Sequence, residues 1–409
     1  MSILKKAIKW LFILLGVLLL IGNLAIIFTG RFYTYKGIAS TYLRGHIRPH
    51  IYDIDIFENR EVQVGTPQPW LEDAPAPAHE QNSLLTQERE RIEKLEPASF
   101  LVAYGDTIIY EEYWNEHDQE RLGNSFSMGK SIVSLLIGCA LDDGYIQSID
   151  EPVANYLPEF DDEKKDITIR HVLTMSTGLS WSESYVHPFC DVAELYYDTD
   201  DRDLALNRRE VEEKPGVTWK YKSGDTQVLT YVLTEATGKT VSEYASEKLW
   251  IPMGAESDAM WSLAGDENST EKGFCCFYAT SRDFLRLGKL INNNGNWEGK
   301  QLVSKTYVEE FTALAPLKKA NGLDNQCYGF QYWIYTGFEE EVTYFRGMSG
   351  QYIISVPSKN LVIVRTGNGV EENVKMTTGE TALDGHRKEM PFYTEVGMRL
   401  LEEYLKANN

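Results

Sequence analysis

Apolar and polar positions follow two different periods in different parts of the chain. The stretches 99-SFLVAY-104 and 107-TIIYEEYW-114 are rich in β-branched and aromatic residues and flank Gly105-Asp106, a pair suited to a two-residue turn. Near the other end, 351-QYIISVP-357 and 361-LVIVRT-366 flank Ser358-Lys359-Asn360 in the same way. Beyond them, 391-PFYTEVGMRLLEEYLKA-407 places Val396, Leu400, Leu401 and Leu405 at helical spacing. Between the two hairpins the period is helical: 127–143, then 226–238 closed by Gly238, 240–250 stopped by Pro252, and 281–292. The simplest fold is α/β, an antiparallel sheet made from both chain ends and flanked by helices, with a mostly helical region inserted between. The chain carries no internal repeat.

Ahead of this body the pattern changes. Residues 10–28, WLFILLGVLLLIGNLAIIF, form a 19-residue run without a charge, preceded by Lys5, Lys6 and Lys9. At ~1.5 Å per residue it spans a ~30 Å hydrocarbon core, so an N-terminal transmembrane helix is expected. LAIIFTGRFY offers no A-x-A-like cleavage site, which favours an uncleaved anchor over a signal peptide. The three lysines keep the N-terminus cytoplasmic and the body outside, although Arg31, Lys36, Arg44 and Arg48 on the far side oppose that orientation. Residues 30–90, with the linker-like 73-DAPAPA-78, read as a juxtamembrane stalk or wrap. The expected division is therefore 1–29 anchor, 30–90 stalk or wrap, and 91–409 body.

Composition narrows the class of partner. The 409 residues are 43% hydrophobic and 12% aromatic, a globular balance, and the formal net charge of −21 opposes binding to nucleic-acid phosphates or to anionic lipid head groups through the folded surface. A small molecule, peptide or glycan fits that charge better. Cys139, Cys190, Cys275, Cys276 and Cys327 are odd in number and lack CxxC spacing, so neither a disulfide framework nor a zinc site is read, and Cys275-Cys276 is expected to pack without reacting. The seven histidines form no HExxH pair, and no metal or cofactor is implied.

The candidate chemistry lies at two helix starts. In 121-RLGNSFSMGKSIVSLLIGCALDDGYIQ-147, Ser127 and Lys130 stand three residues apart on one face at the mouth of an apolar helix. A lysine buried there loses solvation, its pKa falls, and it becomes able to accept a serine proton. The plainer alternative makes Ser127 a helix cap and sends Lys130 to solvent. The second start is 215-PGVTWKYKSGDTQVL-229, where Tyr221 and Ser223 precede a helix. A serine hydrolase of the S-x-x-K type needs a further proton carrier, which Tyr221 supplies; alternatively Ser223 or Asp225 only caps the helix. His171, in the helical TIRHVLTM, reads as structural, and 338-FEEEVTYF-345 as a solvated turn leading into a strand.

Taken in order, SFSMGKS, 145-YIQSIDEPVANYLPEF-160, 168-TIRHVLTMSTGLSW-181, WKYKSGDTQVL, 279-ATSRDFLRLGKLI-291 and 346-RGMSGQYIISVP-357 resemble the class C β-lactamase-related serine hydrolases, in particular the branch with 6-aminohexanoate-dimer hydrolase and related esterases. The resemblance covers roughly residues 97–405. It implies Ser127 as nucleophile, Lys130 as the charge that lowers the pKa of Tyr221, and Tyr221 as the group that takes and returns protons. It places Ser223 where those β-lactamases have asparagine, and Met348-Ser349-Gly350 in the place of K-T-G. The backbone N–H groups of Ser127 and Gln351 would form the oxyanion hole, with Gly350 beside them. No G-x-S-x-G occurs, which excludes the α/β-hydrolase pattern.

The expected protein is thus a membrane-anchored extracytoplasmic serine hydrolase that cleaves an ester or amide of a small molecule through an acyl-enzyme. The alternatives are β-lactamase or D-alanyl-D-alanine carboxypeptidase activity, and a non-catalytic ligand-binding module on the same scaffold. Met348 and Ser223 both remove groups useful for β-lactam recognition, so linear substrates are expected to be preferred.

Overall fold

The computed structural model describes residues 3–72, 83–185, 187–371 and 388–408. The linker-like 73-DAPAPA-78 lies outside them. Seven strands form the main sheet, in the order Trp333–Tyr335, Val342–Gly347, Gln351–Val356, Leu361–Gly367, Pro97–Tyr104, Thr107–Tyr113 and Leu71–Glu72. All neighbours are antiparallel except the last pair. The two ends of the chain meet where Leu361–Gly367 pairs with Pro97–Tyr104, Ile363 opposite Val102. Both expected hairpins form, and their turns use left-handed backbone at Gly105 (φ 58°) and Asn360 (φ 50°), conformations that glycine and asparagine tolerate best.

The sheet is buried on both faces, which its sequence explains by period two. Leu101, Ala103, Ile353 and Val362 face one core; Phe100, Val102, Ile354 and Ile363 face the other. Helix Ser281–Asn292 covers the first face and Glu389–Ala407 the second. Each helix has a glycine at its closest approach to the sheet. A β-carbon on Gly288 would sit 2.4 Å from Val362, and one on Gly397 would sit 2.3 Å from Ile363, so a larger residue at either position would push helix and sheet apart.

The inserted region carries helices Met128–Asp142 and Ser223–Thr237, which pack on each other, with Gly238 closing the second at φ 65°. The expected helix over 240–250 is shorter: Val241–Ala245 gives way to a wider π turn over Ser246–Trp250. A second sheet of four strands joins Asn59–Val62 to Ala259–Ser262, Phe277–Ala279 and Gly123–Asn124. Residues 30–72 run along the body and contribute Ile51, Val62 and Trp70 to buried positions. The N-terminal helix Ile3–Thr29 includes a 25-residue stretch, Lys5–Thr29, whose most apolar 18 residues have a mean hydropathy of 2.9, long and apolar enough to cross a membrane, a property that signal sequences share.

Candidate active site

Ser127 stands at the start of Met128–Asp142, just after Phe126, whose left-handed backbone (φ 45°) turns the chain sharply from Gly123–Asn124 into the helix. A non-glycine residue in that region is held against a cost of ~1–3 kcal/mol, which the buried Phe126 ring offsets by packing with Ile51, Ala98 and Met348. Although Ser127 occupies the cap position, its side chain makes no capping hydrogen bond. Its hydroxyl instead accepts a hydrogen bond from Lys130 Nζ at 3.1 Å. Lys130 is 1% exposed and does not reach solvent; its ammonium also donates to the Phe274 carbonyl at 2.7 Å. Burial lowers the Lys130 pKa to about 8, against an opposing pull from the Glu183 carboxylate.

The residue between them explains part of the motif. A β-carbon on Gly129 would stand 3.2 Å from the Cys275 carbonyl and 3.3 Å from that of Gly273, so the segment holding Lys130 approaches too closely for a larger side chain. That segment contains a disulfide between the adjacent Cys275 and Cys276, which corrects the reading of these cysteines as unpaired. Cys139 and Cys190 are free and buried, and Cys327 is buried as well. Adjacent cysteines carry no spacing pattern, and only a local chain reversal, here with Cys276 at φ 64°, brings their sulfurs together.

Tyr221 lies at the same hydroxyl, where the Ser127 side chain pulls its phenol pKa down, and Lys130 Nζ lies 5.2 Å from the centre of its ring. The neighbouring residue anchors it. Lys222 turns the other way and donates to Thr177 Oγ1 at 2.9 Å and the Leu179 carbonyl at 3.2 Å, beside the buried Arg209–Asp225 ion pair. Tyr221 then packs against Tyr328 and Trp333. Burial first, then the Glu183 carboxylate, push its phenol upward, while the Ser127 hydroxyl and Arg346 pull it down. The net direction is opposite to the lowered pKa implied by the resemblance, because burial of the phenol and the Glu183 charge outweigh the opposing pull of Ser127 and Arg346.

Ser223 begins helix Ser223–Thr237 and does not bond Lys130 or Tyr221. Its hydroxyl and N–H both donate to Glu183, at 2.7 and 2.8 Å. Glu183 also accepts from Trp181 Nε1 and the Tyr185 hydroxyl. This carboxylate and Arg346 are the charged groups that the sequence reading did not assign. Arg346 opens the motif 346-RGMSGQYIISVP-357 and Glu183 follows 168-TIRHVLTMSTGLSW-181 by two residues, but nothing in their spacing marks them. Gly347 lies against the Ser125 carbonyl, where a β-carbon would come within 2.2 Å, which puts the start of strand Gln351–Val356 beside the Ser127 turn. The Gln351 side chain is occupied locally, donating to the Met348 and Gly367 carbonyls at 2.9 and 2.7 Å. Gly350 (φ 85°) makes the turn, and Arg365 fixes it by donating to its carbonyl at 2.8 Å.

His171 is half-buried, and its Nδ1 accepts from the Thr168 N–H at 3.1 Å, completing a helix cap. A cavity of about 590 Å³ lined by His50, Tyr52, Glu96 and Glu116 lies elsewhere and includes none of Ser127, Lys130 or Tyr221. Among the described residues no group of three or more His, Cys, Asp or Glu is placed to hold a metal ion.

Sheet, inserted helices and the S-x-x-K helix start define a β-lactamase/transpeptidase-like fold. The chain belongs to the Beta-lactamase family, whose pattern matches residues 87–386. A curated relative, 6-aminohexanoate-dimer hydrolase of Paenarthrobacter ureafaciens, is 26% identical over 301 residues, 68% of this chain and 74% of its own length. Among solved structures, a protein of Bacillus anthracis named provisionally as a 6-aminohexanoate-dimer hydrolase superposes with a TM-score of 0.71 at 20% identity, covering 86% of this chain and 92% of its own. A family VIII carboxylesterase superposes with a TM-score of 0.58 at 17% identity, covering 85% and 99%. These two structures share the fold. The chain is a β-lactamase-fold protein related to hydrolases.

Proposed function

We propose that this chain is a membrane-anchored serine hydrolase that cleaves a linear ester or amide through an acyl-enzyme on Ser127, with residues 1–29 as anchor, 30–90 as juxtamembrane segment and 91–409 as an extracytoplasmic body. The observation that carries the reading is a hydroxyl served by two proton carriers, Lys130 at 3.1 Å and Tyr221. With its pKa near 8, about a tenth of Lys130 is neutral at pH 7. The neutral amine accepts the Ser127 proton as Oγ attacks the carbonyl carbon. The high-pKa Tyr221 phenol donates its proton to the departing nitrogen or oxygen; water then attacks the acyl carbon, giving a proton to the Tyr221 phenolate, and Ser127 Oγ leaves with the proton returned by Lys130. The N–H groups of Ser127 and Gln351 receive the oxyanion, where one donor is worth ~10²–10³ in rate.

The relative's name supports a linear amide and the carboxylesterase likeness an ester. Arg346 favours a second reading, recognition of a β-lactam or peptide carboxylate, because its charge acts on Tyr221 from the strand that ends at the third motif. A non-catalytic binder would have no use for Ser, Lys and Tyr converging on one hydroxyl. The test is fluorophosphonate labelling with mass mapping: the label should fall on Ser127 and vanish in Ser127→Ala without loss of fold. Undiminished turnover of an ester by Ser127→Ala would overturn the assignment.

A further inference from the structure

Helix Tyr33–Ser40 is apolar on two opposite sides. Tyr33, Gly37 and Ser40 form one buried stripe, and a β-carbon on Gly37 would stand 3.2 Å from the Tyr197 ring, so the helix lies tightly on Asp191–Tyr197. The other stripe, Phe32, Tyr35, Ile38 and Tyr42, faces away, and Leu43 and Ile47 continue it. Phe32 is 57% exposed, Tyr42 59%, Leu43 78% and Ile47 82%, an unusual run of exposed apolar surface for the flank of a body.

Three observations say what covers this face. It continues directly from the membrane-length helix, whose last turns hold it: the Arg31 N–H donates to the Ile26 carbonyl, and the Tyr35 hydroxyl donates to Asn23 Oδ1 at 2.9 Å, folding the short helix back along the end of the long one. The composition is that of an interfacial segment, with aromatic rings among aliphatic side chains. Finally, residues 29–52 contain Arg31, Lys36, Arg44 and Arg48 and no acidic residue, in a chain of net charge −21. Arg44 shares its charge with Asp55 at 2.9 Å, and Lys36 lies over the Phe57 ring, so the local excess is cationic but not large. Such a band suits anionic headgroups, which attract basic residues held near the bilayer surface.

We infer that the face formed by Phe32, Tyr35, Ile38, Tyr42, Leu43 and Ile47 seats on a lipid bilayer bearing anionic headgroups, so that the body rests on the membrane instead of standing off it. This rests on the anchor reading. The consequence for the site is direct, because the same segment grips its wall. Arg31 donates to the Phe189 carbonyl and Tyr33 to the Pro188 carbonyl at 3.3 Å, in the loop whose Glu183 holds Ser223. The bilayer seat therefore also supports the loop beside Ser127, and a substrate reaches the site at the membrane surface.

The full chain is reconstituted into vesicles of phosphatidylcholine with phosphatidylglycerol as the minor component, carrying an environment-sensitive fluorophore on Leu43→Cys, Ile47→Cys or, as control, Tyr145→Cys. Tyr145 is exposed and follows the far end of the 15-residue helix Met128–Asp142, ~22 Å from Ser127. Iodide should quench positions 43 and 47 several-fold less than 145, and a spin-labelled lipid should quench them several-fold more. Equal iodide quenching at all three would overturn the seat. Protection that disappears at one chain per vesicle would assign the face to a second copy and overturn it equally. A chain that does not float with the vesicles would remove the anchor reading and the seat together. None of these readouts needs turnover, so the fate of the hydrolase reading is independent of them.

Discussion

Lys130 concentrates the energetic conflict of the site in one side chain. Its ammonium is buried and its pKa falls from 10.5 to about 8, with desolvation as the main cause. Between those values the unfolded chain holds a proton that the folded chain has released, so stability rises with pH there, and the penalty is fully present below pH 8. Lys130→Met should therefore be the more stable protein at pH 7, by up to about 3 kcal/mol, with the difference shrinking toward pH 10. Denaturant unfolding of both proteins at the two pH values checks this. The same substitution should lower kcat by ~10²–10⁴, Tyr221→Phe should do likewise, and the double variant should lose far less than the product, since both act on one hydroxyl. A second consequence concerns specificity. Met348 offers no charge or donor and is packed against Ile51, Ala98 and Phe126, so p-nitrophenyl butyrate should exceed nitrocefin in kcat/KM. Met348→Lys should improve nitrocefin binding by one to two powers of ten, the worth of a charge-assisted bond of ~1.5–3 kcal/mol. A gain that appears only after Arg346→Gln would mean that Arg346 already serves the carboxylate.

At the scale of elements, the loop 181–190 and the segment 273–276 set the electrostatics around the S-x-x-K helix. Glu183 accepts from four donors on Trp181, Tyr185 and Ser223 while its charge raises both Lys130 and Tyr221. Glu183→Gln removes that charge but can keep hydrogen bonds, so the pKa of Lys130 should fall further. The pH profile of kcat/KM, which should rise and level off near pH 8 in the native protein, should shift to lower pH in Glu183→Gln. A profile unchanged in position would mean that the limb belongs to another group. These elements also show where sequence reading succeeds. The hairpins at 97–113 and 351–367 and the helix over 281–292 follow from period and turn residues, because local chemistry and burial agree there. Ser127, Lys130 and Tyr221 were legible because helix starts and motif order mark them. Glu183 and the Cys275–Cys276 bond were not, since Glu183 acquires its role from partners on Trp181, Tyr185 and Ser223 and adjacent cysteines carry no spacing signature.

For the whole molecule, the question is where the anchor ends and the folded body begins. Composition alone divides the chain near residue 90, whereas contacts run through the preceding segment. Asn59–Val62 pairs residue by residue with Ala259–Ser262, from Asn59 opposite Ser262 to Val62 opposite Ala259. Trp70 is buried, its indole N–H donates to the Arg282 carbonyl at 3.0 Å, and Arg286 and Lys289 lie over its ring. Arg282 and Lys289 belong to the helix that covers the first face of the main sheet. Removing a buried tryptophan typically costs ~3–5 kcal/mol, a large share of the ~5–15 kcal/mol that holds a domain. Two truncations should then behave differently. A chain that starts at residue 30 keeps Ser127, Lys130, Tyr221 and the Arg31 and Tyr33 bonds to the 188–189 carbonyls, so it should fold and hydrolyse a short ester, and it should bind vesicles more weakly than the full chain. A chain that starts at residue 73 loses the edge strand and Trp70, and should melt well below the first or fail to accumulate. Trp70→Ala in the full chain should show an intermediate loss, separating the contribution of the ring from that of the strand. Equal melting temperatures for the two truncations, measured by circular dichroism, would place the boundary near residue 90 after all and make 30–72 a dispensable wrap.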